Sequence, residues 1–203
     1  MDVTVCVGTF GSSEWPELAR TRAMPSAAEQ RLRVVHHHGR NLADARNSCL
    51  RLANSEWVIF LDADDELEPG YAEAMDAATA DLRAPAVRYV RGGRDERPRI
   101  PRVAGHDHAC SADCLRDGNW LVVGTAVRAE LVLHVGGWRE WPLYEDWDLW
   151  LRCWMAGATV EAVPDAVYRA HWRADSRNRA PEMAFKNKIH REIVAANFGP
   201  EPV

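Results

Sequence analysis

The chain is short of several things, and each shortage removes a class of function. No stretch approaches the ~20 uninterrupted apolar residues that cross a bilayer, so no membrane span is expected. The opening residues, "MDVTVCVGTF", have neither a basic region nor a long apolar segment, and no signal peptide is read there. Five cysteines, an odd number without a regular framework, argue against a disulfide-stapled fold and for a reducing, cytoplasmic setting. Positive charge is not in excess: Lys plus Arg is 25 and Asp plus Glu is 30, a formal net charge of -5. General nucleic-acid binding would need a basic face and is set aside, while a local basic pocket for one phosphate compound stays open. There is no internal repeat and no low-complexity segment. At 203 residues the chain suits one domain with a sizeable core.

What is present alternates. "VTVCVGT" (3–9) is a β-branched run expected to be a central parallel strand. A helix is expected at 12–22, capped by Ser12 or Ser13, and a second strand at 31–38. Residues 41–55 form a helix whose apolar face is Leu42, Ala45, Cys49, Leu52 and Ala53. A strand at 57–61 and a helix at 70–82 complete an α/β pattern with right-handed crossovers. A strand is expected at 86–93. The polar segment 94–118 has the length of a lid or binding loop. A strand and short helix follow within 120–138, a helix at 145–157, short strands at 159–173 and an amphipathic helix at 181–198.

Two acidic clusters stand out. "WVIFLDADDELEPGY" (57–71) delivers Asp62, Asp64 and Asp65 at the tip of an apolar strand, where like charges repel. Ligands of open α/β sheets lie beyond the carboxyl ends of the strands. The tip is therefore either a solvated turn or a site for a hard divalent cation, Mn²⁺ or Mg²⁺, that holds a diphosphate. In "PLYEDWDLWLRCWMAG" (142–157), Glu145 and Asp146 precede a helix whose face of Trp147, Trp150, Leu151 and Trp154 has core spacing. Asp146 is either an N-cap or a general base.

These motifs, in this order with "GRNLADARNSCLRLANSEW" and "HVGGW", resemble the GT-A glycosyltransferases of family 2 over most of residues 3–173. The resemblance implies a GT-A, Rossmann-like, mostly parallel central sheet with helices on both faces. It implies a nucleotide-binding half at 1–85, an acceptor and catalytic half at 86–175 and a C-terminal helix at 176–203. It further implies an inverting transfer of a sugar from a UDP-, GDP- or dTDP-linked donor to an acceptor hydroxyl of unknown identity. Carried over, Asp62 and Asp64 meet the nucleotide, and Asp64, Asp65 and His171 the metal. Thr9 and Phe10 pack on the nucleobase, Arg46 reaches toward the nucleotide, and Asp146 with Glu145 supplies the base.

One departure is visible. Such enzymes carry an Asp motif at the end of the second strand, where this chain has His36, His37 and His38. Two alternatives stay open, a nucleotidyltransferase and a catalytically silent nucleotide-sugar-binding module. The first would want a basic, Gly-rich loop after the first strand, and "GTFGSSEWPE" has no cation. "HDHACSADC" offers His106, His108, Cys110 and Cys114 as zinc ligands, but structural zinc sites take separated ligand pairs, and a polar loop is the simpler reading.

Overall fold

The structure, a computed structural model, describes residues 1–103, 105, 106, 111–173, 177 and 181–199. Strand β1 (Val3–Phe10) lies between β2 (Arg33–Gly39) and β3 (Trp57–Phe60) and runs parallel to both. Its side chains alternate between faces. Val3, Val5 and Val7 enter one apolar cluster and Cys6 the other, and Trp57 and Ile59 of β3 likewise part from Val58 and Phe60. Both faces are covered, so the strand reads in sequence as an unbroken apolar run.

Among the described residues the sheet has eight strands, with β4 (Glu66–Leu67), β5 (Leu82–Arg91), β6 (Arg94–Asp95), β7 (Ala126–Arg128) and β8 (Val160–His171) beyond β3. The order is β2-β1-β3-β7-β5-β8-β4, with β6 folded back on β5. The pairs β1–β2, β1–β3 and β5–β8 are parallel, and the shorter ladders of β4, β6 and β7 are antiparallel. This is the expected α/β, mostly parallel sheet. On one face lie α1 (Glu14–Leu18), which continues through a π-helical turn into α2 (Met24–Ala28), and α4 (Tyr71–Ala77). The other face carries α3 (Leu42–Leu52), α5 (Ala129–His134), α6 (Glu145–Met155) and α7 (Met183–Phe198).

Several boundaries differ from expectation, each for a local reason. The helix expected over 70–82 ends at Ala77, because Ala78 turns extended and buried Leu82 already belongs to β5. The division at 85/86 falls inside β5, where the ladder with β8 shifts register beside Pro164 and Asp165. The short strands at 159–173 are one strand. Leu52, assigned to the buried face of α3, is 60% exposed, and Arg46 is buried on that face instead. Where described, 94–118 is anchored: Gly92 and Gly93 turn the chain into β6, Arg99 bridges to Val87, and Val103 and Leu115 enter the core. His108 and Cys110 lie outside the described residues, and Cys114 is buried with its thiol accepting from the Ser111 amide.

Gly124 shows how tightly the sheet is filled beneath the acidic strand tip. A Cβ there would stand 2.2 Å from Cδ2 of Tyr168, and its carbonyl accepts from the buried Tyr71 hydroxyl. Gly124→Ala must displace a ring rather than a flexible chain end. It is expected to destabilise the fold by about 1–3 kcal/mol, read as a lower urea midpoint at unchanged m-value.

Candidate active site

The first acidic motif lies at the carboxyl end of β1, where a cavity of about 780 Å³ opens, and neither Glu145 nor Asp146 of the second motif lines it. Thr9 and Phe10 line it from β1, Asp62, Asp64 and Asp65 from the turn after β3, and His171 from the end of β8. Arg173, Arg177 and Lys186 add positive charge to the same lining. The Thr9 hydroxyl is hydrogen-bonded to His36 Nε2 at 2.9 Å and His38 Nδ1 at 3.1 Å, so the β2 histidines back this wall without lining it.

The three aspartates have different surroundings. Asp62 accepts from Arg46 at 2.6 Å. Asp64 is pushed up to about 6 by burial and by the charge of Asp62, and Arg22 pins its carbonyl at 2.8 Å. Asp65 is buried, and both its oxygens are engaged, one by the Tyr168 hydroxyl at 2.7 Å and the other by the His171 amide at 2.7 Å. Burial, then Asp64 and Asp62, raise its pKa well above the carboxylate range. The His171 ring is paired with Glu66, Nε2 to Oε2 at 2.6 Å.

Arg46 does not line the cavity. It lies beneath, 2% exposed, with one nitrogen on Asp62 and another on Glu145 Oε1 at 2.9 Å, and its guanidinium stacks 4.2 Å from the centroid of Trp138. Burial disfavours this cation, but Asp62 and Glu145 outweigh it and raise its pKa. Glu145 accepts also from Arg177. Burial works to raise its pKa, and the two guanidiniums prevail and hold it below the usual range.

Asp146 is treated in the opposite way. The N-cap of α6 is Tyr144, in the left-handed region at φ 61, so Asp146 is not the cap. Its Oδ1 accepts from the Trp147 amide and its Oδ2 from the Asn119 side chain, both at 2.9 Å. Burial first and the neighbouring Glu145 second push it up to about 7, against the pull of Arg46. Two adjacent carboxyls thus differ, one held ionised and the other poised near neutrality, which is the division an acid–base site needs. Asn119, Tyr168, Trp138, Arg22 and Arg177 complete the site, and no spacing in the sequence flags them. The basic run "RADSRNR" (173–179) was the available signal for Arg177.

With this geometry in view, comparison with known proteins is informative. The sequence profile described as Glycosyl transferase family 2 matches residues 16–119, half of the chain. The chain belongs to glycosyl transferase family 2. Over 59 residues it is 36% identical to EpsH of Bacillus subtilis (strain 168), a match covering 26% of this chain and 17% of EpsH. The crystal structure of S. aureus TarS 1-349 superposes with a TM-score of 0.61 at 16% identity, over 98% of this chain and 72% of that one. The complex of TarS 1-349 with UDP-GlcNAc gives 0.59 at 18% identity, over 98% and 73%. At these identities the likeness establishes the GT-A fold of this family 2 chain. Among the described residues no helix is long and apolar enough to cross a membrane.

The raised pKa of Asp146 has a consequence for stability. In the unfolded chain this carboxyl releases its proton near 3.8, whereas the folded chain keeps it to about 7. Between these values the native state binds more protons, so its stability falls as pH rises. Asp146→Asn removes that penalty but also sacrifices one of two hydrogen bonds at every pH. Measured by urea denaturation, its stability relative to wild type should improve by on the order of 2 kcal/mol from pH 5 to pH 8.

Proposed function

We propose that this family 2 chain transfers a sugar from a nucleoside-diphosphate donor to an acceptor hydroxyl with inversion at the anomeric carbon. The observation that carries this reading is the Arg46 bridge, which ties Asp62 at the cavity to the Glu145–Asp146 pair in one network. The cavity falls in the ~300–1,000 Å³ range of small-molecule sites and is lined by both carboxylates and cations. TarS, of the same fold, has been crystallised with UDP and with UDP-GlcNAc, which favours a uridine donor here.

In the proposed mechanism Asp146 takes the proton of the acceptor hydroxyl. The acceptor oxygen bonds to the anomeric carbon from the face opposite the diphosphate, and the carbon–oxygen bond to the diphosphate breaks with its electron pair leaving on phosphate. A carboxyl poised near 7 suits a base at neutral pH, and Asn119 fixes the direction of one of its oxygens. Arg173, Arg177 and Lys186, which line the same cavity, would offset the departing negative charge.

A divalent cation belongs to this proposal, and the residues fit one bound in a particular way. Among the described residues no group of three His, Cys, Asp or Glu side chains is arranged as a metal cage. Asp65 and His171 already hold protein partners, and Asp62 holds Arg46. Asp64 remains, crowded by like charge that a cation would relieve. Mg²⁺ characteristically takes one or two carboxylates, substrate phosphates and water rather than a full protein cage. When bound, the cation would supply charge neutralisation of the diphosphate.

Two measurements test this. Mn²⁺ should enhance the thermal shift given by UDP, GDP or dTDP, and Asp64→Ala should abolish that enhancement without lowering the melting temperature of the free protein. Full nucleotide binding in excess chelator would remove the metal from the scheme. Asp146→Asn should bind donor nucleotide as wild type does, while turnover of a nucleotide sugar, to acceptor or to water, falls by roughly two to four orders of magnitude. Near wild-type turnover would overturn the base assignment.

A further inference from the structure

The cavity at the end of β1 is bordered by a strand pair that runs on beyond it. Tyr89 of β5 and its ladder partner Ala170 of β8 line the cavity, and so do His171 and Trp172. The Trp172 amide donates to the Val90 carbonyl at 2.9 Å, where β5 leaves the cavity and turns through Gly92 and Gly93 into β6.

This hairpin and the segment after it are basic. Residues 91–102 hold five arginines against Asp95 and Glu96, a net +3 in a chain of -5. Both acids are already matched, Asp95 by Arg169 at 2.9 Å and Glu96 by Arg91 at 3.0 Å. Arg94, Arg97 and Arg102 are exposed, and none of the three has an ion-pair or hydrogen-bond partner among the described residues. Large apolar groups are exposed at the same opening. Trp172 is 38% exposed, and α7 begins with Met183 at 66% and Phe185 at 40%, next to Lys186, which lines the cavity.

Charge alone would suit any polyanion. The apolar side chains decide for a lipid surface, where basic groups sit at anionic headgroups and Trp, Phe and Met enter the boundary beneath them. We propose that this rim, the 91–102 segment with Trp172, Met183 and Phe185, docks the protein on an anionic lipid surface with the cavity opening toward it. The docking goes beyond the transferase reading and does not depend on it. The attachment is peripheral, at headgroup depth. The acidic remainder of the chain is repelled by the same surface, which fixes the side of the molecule that faces it. Each unpaired arginine near such a surface is worth roughly fivefold in binding, and salt screens it.

The test is flotation of the full chain with vesicles of phosphatidylcholine alone and with vesicles in which about one third is phosphatidylserine. Wild type should float with the anionic vesicles only, and salt should release it. Arg94→Gln, Arg97→Gln and Arg102→Gln together should weaken vesicle binding by at least about tenfold, and each alone by up to roughly fivefold, which keeps the comparison should the triple variant fail to fold. Arg31→Gln, Arg51→Gln and Arg191→Gln together remove the same charge from other exposed positions and should cost far less. Met183→Ser with Phe185→Ser should also weaken binding while leaving the melting temperature unchanged. The docking is overturned if wild type does not bind anionic vesicles, or if both triple variants lose binding equally. It is also overturned if Met183→Ser with Phe185→Ser binds vesicles as wild type does. That result, joined to tight binding of inorganic polyphosphate, would assign the surface to a dissolved polyanion instead.

Discussion

A guanidinium with 2% of its surface in water needs carboxylates around it, and Arg46 has two that come from distant parts of the chain. Asp62 lies in the turn after β3 and Glu145 begins α6, so one side chain on α3 ties together the strand tip and the helix start. Trp138 closes the underside at 4.2 Å. Removing one partner of such a buried group typically costs 3–5 kcal/mol, because the others are left uncompensated. The rest of the site depends on this bridge holding its shape.

The same bridge distributes charge. By holding Glu145 ionised it leaves a full negative charge beside Asp146, which, with burial, pushes Asp146 up to about 7. Asp62, fixed by the other arm, presses on Asp64 and Asp65. One guanidinium therefore touches two acidic groups in different states: a strand tip crowded by like charge, and a carboxyl pushed up to about 7 at the helix start. Tyr168 and Asn119 finish the arrangement, the first by binding Asp65 into the sheet and the second by orienting Asp146.

Much of the fold was legible because its signals are local. The β-branched run at 3–9 and the apolar run at 57–61 could be little else than buried strands, and the Trp147, Trp150, Leu151 spacing gave α6 and its buried face. Boundaries were less legible where competition was tertiary. Residues 78–82 carry helical composition, yet pairing with β7 and β8 draws Leu82 into a strand. On α3, apolar periodicity placed Leu52 inward and said nothing of Arg46, because an arginine is buried only when carboxylates from elsewhere in the chain meet it.

The site divides along the same line. Sequence alone determined which groups the chain carries and in what order: acidic groups at a strand end and a helix start, in the order that resembles family 2, without an excess of positive charge or a long apolar run. Residue identity and short-range spacing suffice for that. Tertiary structure decided what surrounds each group. It turned Asp65 and His171 toward protein partners, put Arg46 beneath the cavity instead of in it, and made Tyr144 rather than Asp146 the helix cap. It also separated the states of Glu145 and Asp146, two neighbours with nearly the same intrinsic acidity. Desolvation and Coulomb interactions depend on distances between residues about a hundred positions apart, such as Arg46 and Glu145 or Asp65 and Tyr168, and only the folded chain defines those distances.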